Sequence, residues 1–134
     1  MEQKNKNLNV LLWIAQVALA AIFLMAGIMK STTPINELSQ KLNWVSEDTK
    51  FLVRFIGISE LLGAIGLILP SLLRIKPILT PLAALGFLII MISAIIFHIV
   101  RGEYNVLPIN FLFGAIALFI AWGRYKKVPI QPKS

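Results

Sequence analysis

Long apolar stretches separated by short polar ones make up most of this chain. Four of them have the length of membrane-spanning helices, at about residues 8–30, 51–69, 77–100 and 104–122. About 20 apolar residues suffice for a helix to cross a hydrocarbon core of roughly 30 Å. Pro70 is expected to end the second stretch, because proline interrupts the hydrogen bonding of a helix interior. The pattern predicts an all-α protein, a bundle of four transmembrane helices.

A cleavable signal peptide is the alternative interpretation of the first stretch. Ala18, Leu19 and Ala20 have the small-residue form of a cleavage site. The apolar run continues past them through Met25, which makes it longer than the hydrophobic part of a signal peptide. The length therefore favours a membrane span.

Residues 31–50 form a polar segment between the first two spans. Thr33 and Pro34 are the predicted N-cap and first residue of a short helix. The apolar positions that follow fall near one face: Ile35, Leu38, Leu42 and Val45. This pattern predicts a short amphipathic segment on the membrane surface with Trp44 as an interfacial anchor, although an ordered loop fits it too. Ser46 and the two acids after it are the predicted start of the next helix.

Composition supports a membrane protein. Of 134 residues, 57% are hydrophobic and 14% are charged, and the mean hydropathy is +0.80. Such a chain has room for one integral membrane domain, residues 1–134, and little else. The net charge of +7 comes from cations at segment ends, so the expected partner is the lipid bilayer and not nucleic acid. The chain has no cysteine, so redox chemistry requires a bound cofactor or a partner.

The distribution of cations predicts the orientation. Eight of them lie on the side of the termini and the middle turn: Lys4, Lys6, Arg74, Lys76, Arg124, Lys126, Lys127 and Lys133. Four lie on the other side: Lys30, Lys41, Lys50 and Arg101. Because cytoplasmic segments carry the excess of lysine and arginine, both termini are predicted in the cytoplasm, with the chain in the bacterial inner membrane.

The same topology places five polar residues in the outer half of the bundle. These candidate ligand-binding residues are Lys30, Arg54, Glu60, His98 and Asn110. At about 1.5 Å of rise per residue, Glu60 lies roughly 13 Å from the outer end of its span, near mid-membrane. The inner half offers little besides Gln16 and Thr80. The asymmetry predicts a polar pocket that opens toward the outer face.

Glu60 is the centre of this hypothesis, because an ionisable residue at that depth is costly and usually functional. Glycines recur every third residue around it, at positions 57, 63 and 66, as in a helix packed closely against neighbours. Glu60 and Arg54 are about 120° apart around the helix, so each is expected to find partners on other helices. Glu60 and His98 are the candidate proton-handling groups.

Each candidate also has a purely structural interpretation. Glu60 also fits a neutral, hydrogen-bonded packing residue, and Arg54 fits a side chain that reaches to the interface. His98 fits a hydrogen-bonded structural histidine, and Asn110 an interhelical hydrogen-bonding residue. No metal site is expected, because His98 is the single histidine of the chain and no ligand-type spacing accompanies it.

A set of spaced residues from about 10 to 125 resembles the DoxX-like family of four-helix membrane proteins. The residues that carry the resemblance are Gly27-x-x-Lys30, the run from Arg54 through Gly57, Glu60, Gly63, Gly66 and Leu67 to Pro70, Pro77, Thr80-Pro81-x-Ala83-Ala84, Ala94-x-x-x-His98, Arg101-Gly102-Glu103, Pro108-x-Asn110 and Gly123-Arg124. The resemblance implies a four-span helical bundle. The family takes its name from a small subunit of a thiosulfate:quinone oxidoreductase.

Two hypotheses follow from the resemblance. In the first, the chain is a membrane subunit of a quinone-linked oxidoreductase that works with a soluble or membrane partner subunit. Glu60 and His98 then handle protons, while Arg54 or Lys30 holds an anionic or carbonyl-bearing ligand such as a quinone. In the second, it is a non-enzymatic accessory or assembly protein that docks a partner or a small hydrophobic ligand. Both hypotheses leave open whether the chain forms a homo-oligomer.

Overall fold

Five α-helices make up the fold. The structure is a computed structural model that describes residues 2–133, with side chains from Asn5 to Lys133. The helices are α1 (Glu2–Thr32), α2 (Ile35–Lys41), α3 (Lys50–Leu73), α4 (Leu79–Val100) and α5 (Leu107–Trp122). A 3₁₀ turn, Tyr104–Val106, precedes α5, and a π-helical turn, Gly123–Lys127, follows it. No strand occurs among residues 2–133, so the all-α prediction is confirmed. Met1 and Ser134, whose cytoplasmic position is predicted, lie outside the described residues.

Four helical segments are long and apolar enough to cross a bilayer. They are Asn5–Thr32, Lys50–Leu73, Leu79–Val100 and Tyr104–Lys127. Large apolar side chains cover their outer surfaces, as expected for contact with lipid tails. The chain is therefore an integral membrane protein, and the predicted four-helix bundle is confirmed.

The predicted end of the second span at Pro70 is wrong, because α3 continues through this proline to Leu73. A proline in a helix leaves the carbonyl four residues earlier without its N–H partner. That carbonyl belongs to Gly66, and the Thr80 hydroxyl on α4 donates to it at 3.0 Å. A neighbouring helix thus replaces the missing hydrogen bond, which is how transmembrane helices tolerate proline.

The starts of α2, α3 and α4 also differ from the predictions. α2 begins at Ile35, and Pro34, not Thr33, is its N-cap. α3 begins at Lys50 and not at Ser46, whose backbone N–H donates to Oγ1 of Thr49 at 2.9 Å in a turn before the helix. α4 begins at Leu79, two residues after Pro77. Before α3 and α4, a short turn thus occupies residues that the capping and apolar patterns assign to the helix.

The helices form a ring in which α1 packs along α3, α3 against α4, and α4 along α5, with a shorter contact between α5 and α1. The core contains Phe87, which stacks on Phe23 with ring centroids 4.3 Å apart. Glycines make room for these contacts: a Cβ on Gly63 would lie 2.5 Å from the Phe87 ring. The three glycines around Glu60 thus face neighbouring helices, as predicted.

The segment between α1 and α3 has a small core of its own. Its buried residues are Ile35, Leu38, Val45 and Val53. The apolar face of α2 therefore packs on the bundle while its polar face stays exposed, which confirms the amphipathic segment. Trp44, the predicted membrane anchor, is half-buried and meets Phe97 of α4 edge-on at 5.8 Å. The contact between the two rings packs the segment against the bundle.

Candidate functional site

A cavity of about 620 Å³ lies at the end of the bundle where α1 ends and α3 begins. α3 and α4 touch closely near the turn that joins them, and the cavity separates them toward their other ends. The segment between α2 and α3 covers it. We call it the Glu60 cavity; its walls include Lys30, Trp44, Glu60, Phe97, His98 and Asn110. Four of the five predicted site residues therefore share one cavity, and each comes from a different transmembrane helix.

Glu60 pairs with Lys30 across the interface between α3 and α1. The Lys30 Nζ lies 3.2 Å from both carboxylate oxygens. Only 1% of the Glu60 side chain is exposed, against 16% for Lys30. The prediction that Glu60 finds its partner on another helix is confirmed by this ion pair. The charge of Glu60 is thereby compensated within the bundle.

Arg54 does not line the cavity. Its Nη1 donates to the backbone carbonyl of Lys30 at 2.8 Å. Lys30 lies in the last turn of α1, where carbonyls lack partners within the helix. Arg54 therefore holds the end of α1 in place, and through it the backbone that carries the Lys30 side chain.

His98 belongs to a short chain of polar contacts that the sequence did not indicate. Its Nδ1 lies 2.8 Å from Oε1 of Glu103, which also accepts from Nε of Arg101 at 3.1 Å. Hydrogen bonds hold the pKa of Glu103 below its usual range, and the bond from His98 contributes more than the bond from Arg101. A carboxylate at Nδ1 favours the tautomer that carries its proton there, which leaves Nε2 as an acceptor. Glu103 also lines the cavity, so this chain links the cavity to the turn after α4.

Asn110 has a buried side-chain nitrogen with no hydrogen-bond partner among the described residues. It was predicted to hydrogen-bond between helices, and the structure differs on this point. A buried donor without a partner is costly, so native proteins rarely keep one without a reason. Asn110 also lines the cavity, although this nitrogen itself is covered by neighbouring atoms.

The cavity meets the lipid-facing surface between α3 and α4. Its walls include Phe55 and Ile89, whose side chains are 70% and 58% exposed on the outside of the bundle. In a bilayer, these positions face acyl chains. A hydrophobic molecule can therefore reach the polar groups from the membrane without crossing water.

The opposite end of the bundle holds a second polar group, which we call the Arg124 cluster. Arg124, 2% exposed, donates to Oε1 of Gln16 at 2.6 Å, to Oδ1 of Asn9 at 2.7 Å and to the Val128 carbonyl at 2.9 Å. Gln16 in turn donates to the Leu67 carbonyl at 2.7 Å. The expectation that this half holds little besides Gln16 and Thr80 is therefore wrong.

Comparison with known proteins identifies a matching protein family. The model of the DoxX-like family matches residues 14–120, a range that contains all five predicted site residues. Searches of curated proteins and of solved structures each found no match. The Arg124 cluster lies partly outside the matched range.

Proposed function

The chain belongs to the DoxX-like family, and from this membership and the Glu60 cavity we propose that it is a membrane subunit of a quinone-linked oxidoreductase. The observation that carries the proposal is the convergence of one polar residue from each transmembrane helix on one apolar cavity. Its volume of about 620 Å³ suits a small organic ligand. Its opening toward lipid suits a ligand that dissolves in the membrane.

The residues present fit a quinone head group. Trp44 and Phe97 offer aromatic walls, and Lys30 Nζ offers a donor for a carbonyl oxygen. The unpaired Asn110 nitrogen becomes a second donor when its side chain rotates toward the cavity. A bound quinone supplies the capacity to accept two electrons and two protons. The chain from Glu103 to His98 provides a route by which a proton reaches the cavity from the turn after α4. Since the chain has no cysteine, the electrons come from another bound cofactor or from a partner subunit.

A non-enzymatic accessory protein that holds a small hydrophobic ligand is the second candidate. The mutual pairing of Lys30 and Glu60 favours it, because each group already satisfies the other and the pair joins α1 to α3. The same cavity serves both functions. The two functions differ in proton transfer: the oxidoreductase requires it at Glu60 or His98, and the accessory protein does not.

Ligand binding can be tested separately from folding with Asn110→Leu. This change removes a buried donor without a partner, so we expect stability equal to that of the wild type or higher. In the same variant, stabilisation by added quinone should weaken by about tenfold in apparent Kd, the effect of one lost hydrogen bond. Thermal unfolding of the purified protein at several quinone concentrations measures both. Asn36→Leu, an exposed position on α2, is the control.

The outcome separates the candidates. A quinone response that Asn110→Leu leaves unchanged contradicts the cavity as the quinone site. Glu60→Gln keeps the shape of the side chain but removes its titratable proton. In the oxidoreductase, membranes from cells with Glu60→Gln or His98→Gln should lose a quinone-reducing activity that the wild-type chain restores to a deletion strain. An accessory protein that only holds the ligand gives membranes with no such activity to lose.

Both termini are proposed to face the cytoplasm. Lys6, Arg74 and Arg124 lie at their end of the bundle, and this end carries the larger share of cations. Reporter fusions to either terminus should therefore give the cytoplasmic signal, and a reporter inserted in the turn at 46–49 the opposite one. Extracytoplasmic activity from either terminal fusion overturns this orientation.

A further inference from the structure

A second cavity, of about 540 Å³, lies at the end of the bundle where α1 begins and α3 ends. We call it the Arg74 cavity; its walls include Lys6, Asn9, Trp13, Arg74, Ile130 and Gln131. It shares no residue with the Glu60 cavity and lies at the other end of the helices. The proposed quinone site therefore does not account for this second cavity.

The chain after the π-helical turn forms one wall of this cavity. The Nε of Arg74 donates to the Gln131 carbonyl at 2.8 Å. The backbone N–H of Lys133 donates to the Arg74 carbonyl at 2.8 Å. These two hydrogen bonds fasten residues 128–133 across the end of α3, so the cavity is a built feature of the fold and not a gap beside a loose tail.

The charged residues that line the cavity are both cations, Lys6 and Arg74, and Arg124 contacts two other residues of its wall. The Arg124 Cζ is 5.5 Å from the centroid of the Trp13 ring, and its Nη1 donates to Asn9; both partners line the cavity. The groups that accept hydrogen bonds from Arg124 among the described residues belong to Gln16, Asn9 and Val128, and all are neutral. Its charge thus adds to those of the two lining cations.

Among the residues with described side chains, the carboxylates belong to the other half of the bundle. The acids with described side chains are Glu37, Glu47, Asp48, Glu60 and Glu103. Glu60 and Glu103 line the Glu60 cavity, and the first three belong to the segment that covers it. Within residues 5–133, the cations around the Arg74 cavity therefore have no acidic partner.

We propose that the Arg74 cavity binds a negatively charged phosphate group, delivered by the headgroup of an anionic phospholipid. Phosphate oxygens accept hydrogen bonds from lysine and arginine, and the amides of Asn9 and Gln131 add neutral donors. Lipid is favoured over free phosphate because Leu72, Val128 and Ile130 add apolar wall beside the cations. Trp13 is of the type that lies at headgroup level.

The test compares two lysines at the same end of the bundle. Lys6 lines the cavity, whereas Lys126 is also exposed but does not line it. Lys6→Gln should weaken the apparent affinity for short-chain phosphatidylglycerol about fivefold, the effect of one cation near a charged membrane surface. Lys126→Gln should leave it within about twofold, because salt screens its distant charge. Thermal stabilisation of the purified full-length protein during lipid titration gives these affinities.

A second variant and two further ligands complete the test. Arg74→Gln should cost about another fivefold in affinity. Because Arg74 also holds the tail, Lys6→Gln alone decides the result if this variant does not fold. Phosphatidylcholine, which carries no net charge, should not stabilise the protein, and inorganic phosphate should not compete with phosphatidylglycerol. Equal losses in the Lys6 and Lys126 variants overturn the site, and competition by inorganic phosphate overturns the lipid as its source.

Discussion

Lys30→Met should destabilise the protein by about 3–5 kcal/mol, the loss typical of a buried ion pair from which one partner is removed. Glu60 is 1% exposed, and Lys30 Nζ is the partner of both its carboxylate oxygens. Methionine keeps the length and the apolar stem of the lysine but no charge. The variant therefore leaves a buried carboxyl group inside the bundle without a cation.

Removing the other partner should be less harmful. Lys30 is 16% exposed and lies in the last turn of α1, so without Glu60 its flexible side chain can reach the interface. Glu60→Leu should thus cost clearly less than Lys30→Met. The double variant should recover most of the loss, because an apolar pair replaces the ion pair.

Unfolding in mixed micelles is measured for the wild type, Lys30→Met, Glu60→Leu and the double variant. This double-mutant cycle gives the coupling free energy between the two residues. Lys50→Met is the control for charge removal, since this exposed lysine at the start of α3 should change stability by at most about 0.5 kcal/mol. A Lys30→Met variant as stable as this control contradicts the ion pair. Glu60 then has another source of stabilisation, and the electrostatic part of the proposed site fails.

The sequence predicts the architecture well because the hydrophobic requirement of a bilayer acts on each span separately. A run of apolar residues indicates a span without knowledge of its neighbours. The end of α3 is a different case. Pro70 is tolerated because the Thr80 hydroxyl bonds the Gly66 carbonyl, and that contact exists only once α3 and α4 are packed. Local pattern alone therefore ends the helix at Leu69, before Pro70, whereas α3 ends at Leu73.

The candidate site is partly predictable for the same reason. Alternation of span direction sets the depth of each polar residue, which brings Lys30, Glu60, His98 and Asn110 to one end. Rotation of each helix about its axis is set by packing, and the apolar pattern defines it weakly when lipid and core are both apolar. The sequence thus assigns Arg54 to the correct end of the bundle. It does not show that Arg54 binds the last turn of α1 and stays outside the cavity wall.

Arg124 shows what a charge pattern misses. It lies in a basic run, where the expected role is an orienting cation in water. The π-helical turn Gly123–Lys127 extends the last span and buries this side chain. Its acceptors, Gln16 and Asn9, are 108 and 115 residues away in the chain. Such a contact has no local signal, although a π-helical turn in a structure often marks a functional region.

Gly27→Ala should destabilise the protein by about 1–3 kcal/mol, the usual cost of forcing extra volume into a packed interface. A Cβ at this position would lie 2.8 Å from the backbone oxygen of Gly57 and 3.0 Å from the backbone nitrogen of Leu61. Backbone atoms of a helix cannot turn aside as a flexible side chain can. The methyl group therefore pushes α1 away from α3 along their extensive contact.

Gly86→Ala is the matched control, because a Cβ there has nothing within 4 Å. The same change of residue should then be neutral or stabilise by up to about 1 kcal/mol, the helix propensity gained over glycine. Unfolding measurements on both variants should thus give effects of different size or opposite sign. Lys30 lies about one turn beyond Gly27, so separation of the helices also lengthens its contact with Glu60. Gly27→Ala should therefore also weaken stabilisation by quinone, whereas Gly86→Ala should leave it intact. If the two variants respond equally to quinone, close contact between α1 and α3 does not support the site.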